Sequence, residues 1–98
     1  MKFPAIIKYT PDKAKIAEIR PLHRQYLTTL QERGQLAAAG PFTDDSGALI
    51  IYEAETHEEA EALLKADPFN KNGIFVSYQI RPWKPVFFTS NLFATQLT

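Results

Sequence analysis

The chain carries two histidines and no cysteine, which restricts the chemistry open to it. Without thiols there is no disulfide framework, no thiolate nucleophile and no Cys-ligated metal. Two imidazoles fall short of the usual zinc ligand sets, so no metal is expected. Proton transfer remains. Imidazole titrates nearest to neutrality of the common side chains, and a carboxylate beside it orients the ring and stabilises the charge that forms. His23 and Asp67 are the candidate pair. His57 stands at the start of a helix and reads as a surface residue.

His23 shares one helical face with Tyr26, Leu27 and Leu30, at i, i+3, i+4 and i+7, so it turns inward. Asp67 lies four residues after Leu63 and continues the inward stripe of a second helix, just before Pro68 stops it. Four further residues are candidate substrate contacts. Gly40 offers backbone donors for an oxyanion, Ser46 offers a hydroxyl, and Tyr26 and Phe42 are candidate pocket walls. Each also has a plain structural reading. His23 serves equally as a core histidine bonded to a carbonyl, Asp67 as a cap before Pro68, and Ser46 as a turn residue in Thr43–Gly47.

The elements that position these residues follow from periodicity and punctuation. Phe3–Tyr9 reads as a strand. Asp12 caps a short helix over Lys13–Glu18. Pro21 suits a first helical position better than an interior one, so a break near Arg20 and a main helix over Pro21–Arg33 are expected, with Gly34 as the stop. That boundary places His23 in the first turn, where the helix N-terminus disfavours the imidazolium. Leu36–Gly40 and Ala48–Glu53 read as a hairpin. Thr56 and Glu59 form a capping box for a helix ending near Ala66. Ile74–Arg81 is the last strand, with Ile74, Val76, Tyr78 and Ile80 on one face and Phe75 on the other. Val86–Phe88 is a short apolar run.

The order β-α-β-β-α-β predicts an α+β, ferredoxin-like fold, an antiparallel sheet with both helices on one face. The uncovered face needs a cover, which predicts a homodimer with sheets face to face. Connectivity brings His23, Asp67, the Gly40–Phe42 corner and Ser46 to one end of the sheet and sends Trp83 to the other.

Composition excludes several partners. The 98 residues carry 11 basic and 11 acidic side chains; phosphate neutralisation wants a basic excess, so no nucleic acid is expected. No apolar run approaches the roughly 18 residues of a membrane span, so no membrane is expected and a cytoplasmic protein is. The balance is uneven along the chain. Residues 1–35 and 71–98 are net basic and residues 36–70 strongly acidic, a layout compatible with self-association and with solvated helix faces alike.

Arg20-Pro21-x-His23-x-x-Tyr26-Leu27, Gly34, Ala39-Gly40-Pro41-Phe42, Asp44, Gly47, Asp67-Pro68-Phe69, Gly73 and Arg81-Pro82-Trp83 together resemble the YciI-like (YCII-related domain) family. The resemblance spans residues 1–88 and leaves 89–98 as a C-terminal extension, expected either to cap the dimer or to lack order. It implies a dimeric α+β barrel, similar to muconolactone isomerases and small antibiotic-biosynthesis monooxygenases. It also implies a His–Asp pair for acid–base chemistry, which matching motif positions assign to His23 and Asp67. One class of the family is a dehydrochlorinase of chlorinated hydroquinones. The expectation is a cofactor-independent isomerase or lyase acting on a small cyclic or aromatic metabolite. A non-catalytic small-molecule binder and a cofactor-free monooxygenase are the alternatives.

Overall fold

The computed structural model describes residues 1–94. Its elements are β1 (Lys2–Tyr9), α1 (Lys13–Glu32), β2 (Leu36–Pro41), β3 (Gly47–Glu53), α2 (His57–Lys65), α3 (Pro68–Lys71), β4 (Phe75–Ile80) and α4 (Asn91–Ala94). The strands form one sheet in the order β2-β3-β1-β4, every neighbouring pair antiparallel. This is the ferredoxin-like α+β arrangement that the element order predicts.

Alternation decides which strand residues meet the helices. Phe3, Ala5, Ile7 and Tyr9 of β1 are buried, as are Ala48, Ile50 and Tyr52 of β3. Ile16 and Leu30 of α1, Ala60 and Leu64 of α2 and Phe69 of α3 cover them and complete the core. The opposite sheet face keeps Ile6 and Leu49 exposed.

Three features differ from the sequence expectations. First, α1 runs unbroken for 20 residues through Pro21. Proline in a helix interior costs about 3 kcal/mol. The inward stripe Ile16, Ile19, His23, Tyr26, Leu27, Leu30 keeps one phase across it, and burying that stripe outweighs the lost hydrogen bond. Pro21 and Ala17, whose carbonyl loses its amide partner, are both exposed. His23 is therefore mid-helix, and the argument from a helix N-terminus does not apply to it.

Second, α2 ends at Lys65, and Asp67 caps a separate one-turn helix instead of extending the α2 stripe. Its backbone is extended (φ −65°, ψ 132°), its side chain accepts from the Phe69 amide, and Pro68 opens α3. Third, the pairing of β1 with β4 shifts register between Lys8 and Tyr9. This bulge turns Phe75 to the helix side, against Tyr9 and Phe69, while Val76 is exposed. A bulge inserts one residue and inverts the alternation beyond it.

Trp83 bridges to Lys2 at the start of β1, far from the Tyr9 end, as connectivity requires. Val86–Phe88 is non-regular and exposed. In the proposed extension, Phe93 of α4 lines a groove on the open sheet face with Leu49 and Ile51; residues 95–98 lie outside the described residues.

Candidate active site

His23 and Asp67 meet. The Nδ1 atom of His23 lies 2.8 Å from one carboxylate oxygen of Asp67 and 2.9 Å from the other. His23 is 6% exposed and Asp67 0%, so both groups are nearly dry, and the His23 ring has Asp67 as its one hydrogen-bond partner among the described residues. An ionised carboxylate can only accept, so it selects the ring form with the proton on Nδ1, in which Nε2 of a neutral imidazole presents a lone pair.

Local sequence explains the precision of the contact. The Asp67 backbone is extended because Pro68 follows, and the Phe69 amide donates to its Oδ1 at 2.9 Å. One residue thus caps α3 and holds the imidazole. Phe69 then lies flat against the His23 ring, with centroids 3.9 Å apart and planes 3° from parallel. Phe75 meets the same ring edge-on at 6.3 Å. The ring is fixed by a carboxylate at Nδ1 and an aromatic on its face.

Nε2 makes no hydrogen bond with the described residues, and His23 lines a cavity of about 370 Å³ between α1 and β2. Tyr9 forms part of this cavity; Arg24, Leu27, Thr28 and Gln31 come from α1, and β2 closes the far side from Leu36 to Pro41. The β2–β3 loop is tethered beside it: an Arg20 Nη atom donates to Asp45 Oδ1 at 2.9 Å. Asp45 adopts the left-handed backbone (φ 62°), which aspartate tolerates better than most residues. Burial raises the Tyr9 phenol from 10.0 to about 12, the charge of Arg20 opposing.

The other candidate contacts divide. Gly40 lines the cavity with His23. Tyr26 does not: its hydroxyl donates to the Leu63 carbonyl at 2.6 Å and ties α1 to α2. Phe42 and Ser46 line a groove with Ile6 on the open sheet face. There the Ser46 hydroxyl and amide both donate to Asp44, and these bonds hold the Asp44 carboxyl below its usual range. The Ser46 donor is spent on its own turn. His57 is exposed, as expected, with Nε2 near the Ile80 carbonyl.

Tyr9, Arg24 and Phe69 are the site residues that sequence reasoning missed. Tyr9 ends the buried alternation of β1. Arg24 lies beside His23 but looks outward on a helical wheel. Phe69 follows Asp67 by two, inside the Asp-Pro-Phe motif.

Together the sheet, the helices on one face and a buried His–Asp pair at one end define a ferredoxin-like protomer of the dimeric α+β barrel class. The chain belongs to the YCII-related domain family, whose pattern matches residues 1–84. It is similar to Protein YciI of Escherichia coli O6:H1, 34% identical over 93 residues, covering 81% of this chain and 95% of that one. YjpA of Bacillus subtilis is 36% identical over 62 residues, 63% of this chain and 72% of that one. Among solved structures, the 5-chloro-2-hydroxyhydroquinone dehydrochlorinase TftG of Burkholderia phenoliruptrix AC1100, in complex with 2,5-dihydroxybenzoquinone, superposes with a TM-score of 0.75. It is 29% identical and covers 86% of this chain and 94% of that one.

Proposed function

We propose that this protein is a cofactor-independent enzyme in which His23 moves a proton on a small cyclic or aromatic metabolite. One observation carries the reading. Asp67 holds Nδ1 from behind through both oxygens, while the ring lines an open cavity. Nε2 takes a proton from a carbon or hydroxyl of the substrate, and Asp67 stabilises the imidazolium that forms. In an elimination, the electron pair released expels a leaving group such as chloride, and the net loss is HX. In an isomerisation, Nε2 returns the proton to another atom of the same molecule. The similarity to a dehydrochlorinase favours elimination.

The test is turnover of a panel of chlorinated hydroxyhydroquinones and lactones, followed by chloride release and absorbance. Wild type is expected to turn over at least one member, with His23→Gln reduced about 100-fold or more. Equal rates in the two proteins would remove His23 from the reaction.

The working unit proposed is a homodimer joined through the open sheet faces. Ile6, Leu49 and Phe42 are 56%, 37% and 42% exposed there, a patch that water covers poorly. Sedimentation should give a dimer for wild type and a monomer for Ile6→Lys; a monomeric wild type would refute the assembly.

A further inference from the structure

This inference rests on the proton-transfer reading and names the class of molecule on which the pair acts. Arg24, Thr28 and Gln31 stand at i, i+4 and i+7 of α1 and line one wall of the His23 cavity. The Arg24 guanidinium makes no ion pair or hydrogen bond with the described residues, whereas Arg20, one turn earlier, is engaged by Asp45. Among the described residues, no aspartate or glutamate lines the cavity. Asp67, behind the ring, is occupied by Nδ1 and the Phe69 amide. Arg24 is therefore the one fixed charge among the described lining residues; the Asp67 and Asp45 carboxylates act on the cavity only from behind its wall, through Tyr9.

Of the neutral groups, Tyr9 supplies a donor. The Thr28 hydroxyl spends its proton on the Arg24 carbonyl. Tyr9 makes no side-chain hydrogen bond with the described residues, and its raised phenol stays protonated at neutral pH as a donor. From Ala37 to Pro41, β2 contributes only alanine, glycine and proline side chains. The charged donor of Arg24 and the phenol of Tyr9 therefore share one cavity with His23.

We propose that the cavity binds a planar ring as its oxyanion, with the Arg24 guanidinium and Tyr9 hydroxyl taking the negative oxygen while Nε2 of His23 faces the proton to be moved. An ionised ring hydroxyl and a ring carboxylate share this chemistry. About 370 Å³ suits a single substituted ring, at the small end of ligand pockets.

Calorimetric titration at pH 7 tests this with three probes: 2,5-dihydroxybenzoquinone, whose hydroxyls are ionised, 2,5-dihydroxybenzoate, a carboxylate, and neutral hydroquinone. Wild type should bind at least one anion more tightly than hydroquinone, and the tighter anion identifies which oxyanion the site prefers. Arg24→Gln should weaken that anion roughly tenfold or more, the size of one charged hydrogen bond, and change hydroquinone by less than about twofold. Arg24→Lys should restore part of the loss. Arg24 is exposed and makes no ion pair with the described residues, so the melting temperature should not move. Equal losses for charged and neutral probes, unchanged affinity in Arg24→Gln, or binding of none of the three would overturn the assignment. The two readings fail separately. If His23→Gln turned over like wild type while Arg24→Gln still lost anion affinity, the base would be wrong and the anion site right.

Discussion

Asp67 does two jobs, and two substitutions separate them. Asp67→Ala removes the acceptor for the Phe69 amide, a helix-cap loss of about 1 kcal/mol. It also leaves the His23 Nδ1 proton without its partner in a site only 6% exposed, which costs about 1–3 kcal/mol more. The sum, about 2–4 kcal/mol, lowers the melting temperature of a domain this size by roughly 10–25 °C. Asp67→Asn keeps an amide oxygen for the cap and fills the same volume, so its stability should stay within about 1 kcal/mol of wild type. Its NH₂ group, however, can donate to Nδ1 and favour the tautomer with the proton on Nε2, which removes the base. Turnover should then fall roughly 10²- to 10⁴-fold, the range seen when a carboxylate that orients a catalytic histidine is made an amide. Thermal denaturation and initial rates on the same preparations decide the matter. Asp67→Asn that unfolds as easily as Asp67→Ala, or that keeps its rate within about tenfold of wild type, would refute the reasoning.

Two further outcomes follow from the same structure. All four tyrosines are held above their ordinary value of 10.0, chiefly by burial. Tyr9 reaches about 12, so the stability linked to it is complete below pH 10 and is lost as pH rises through 12, where only the unfolded chain ionises readily. Phenolate absorbance should therefore appear together with unfolding, and Tyr9→Phe should shift that transition upward; early titration with the fold intact would contradict it. Gly47→Ala drives a Cβ into the backbone oxygen of Ile7, so the β1–β3 ladder must separate there. Urea denaturation should report a loss of about 3 kcal/mol, and a loss below about 1 kcal/mol would mean that the strands accommodate it.

Much of this site was legible in the sequence, for identifiable reasons. The inward phase of His23 is set by spacing, and the meeting of α1 with the end of α2 is set by connectivity. Neither depends on side-chain detail. What misled was local chemistry read without tertiary context. Pro21 looked like a boundary because its intrinsic cost is large, yet the stripe from Ile16 to Leu30 keeps its phase through it. The shifted register beside Tyr9 inverted Phe75, and no periodicity within β4 announces a bulge. Ser46 and Phe42 do sit near the His23 end of the sheet, but a sheet has two faces, and connectivity does not assign loop side chains to either. Arg24 was passed over because a long, exposed side chain on a helical wheel reads as solvent-facing. The cavity between α1 and the alanine-lined β2 gives that exposure a purpose.

The central claim is that Asp67 holds the proton of His23 on Nδ1 and leaves Nε2 free toward the cavity. Long-range ¹⁵N–¹H NMR of the two histidines, recorded with the rings in their neutral form, measures this directly. The account predicts that His23 is protonated at Nδ1 and bare at Nε2, and that Asp67→Asn disturbs this pattern while leaving His57 unchanged. A neutral His23 ring with its proton on Nε2 in the wild-type protein would contradict it.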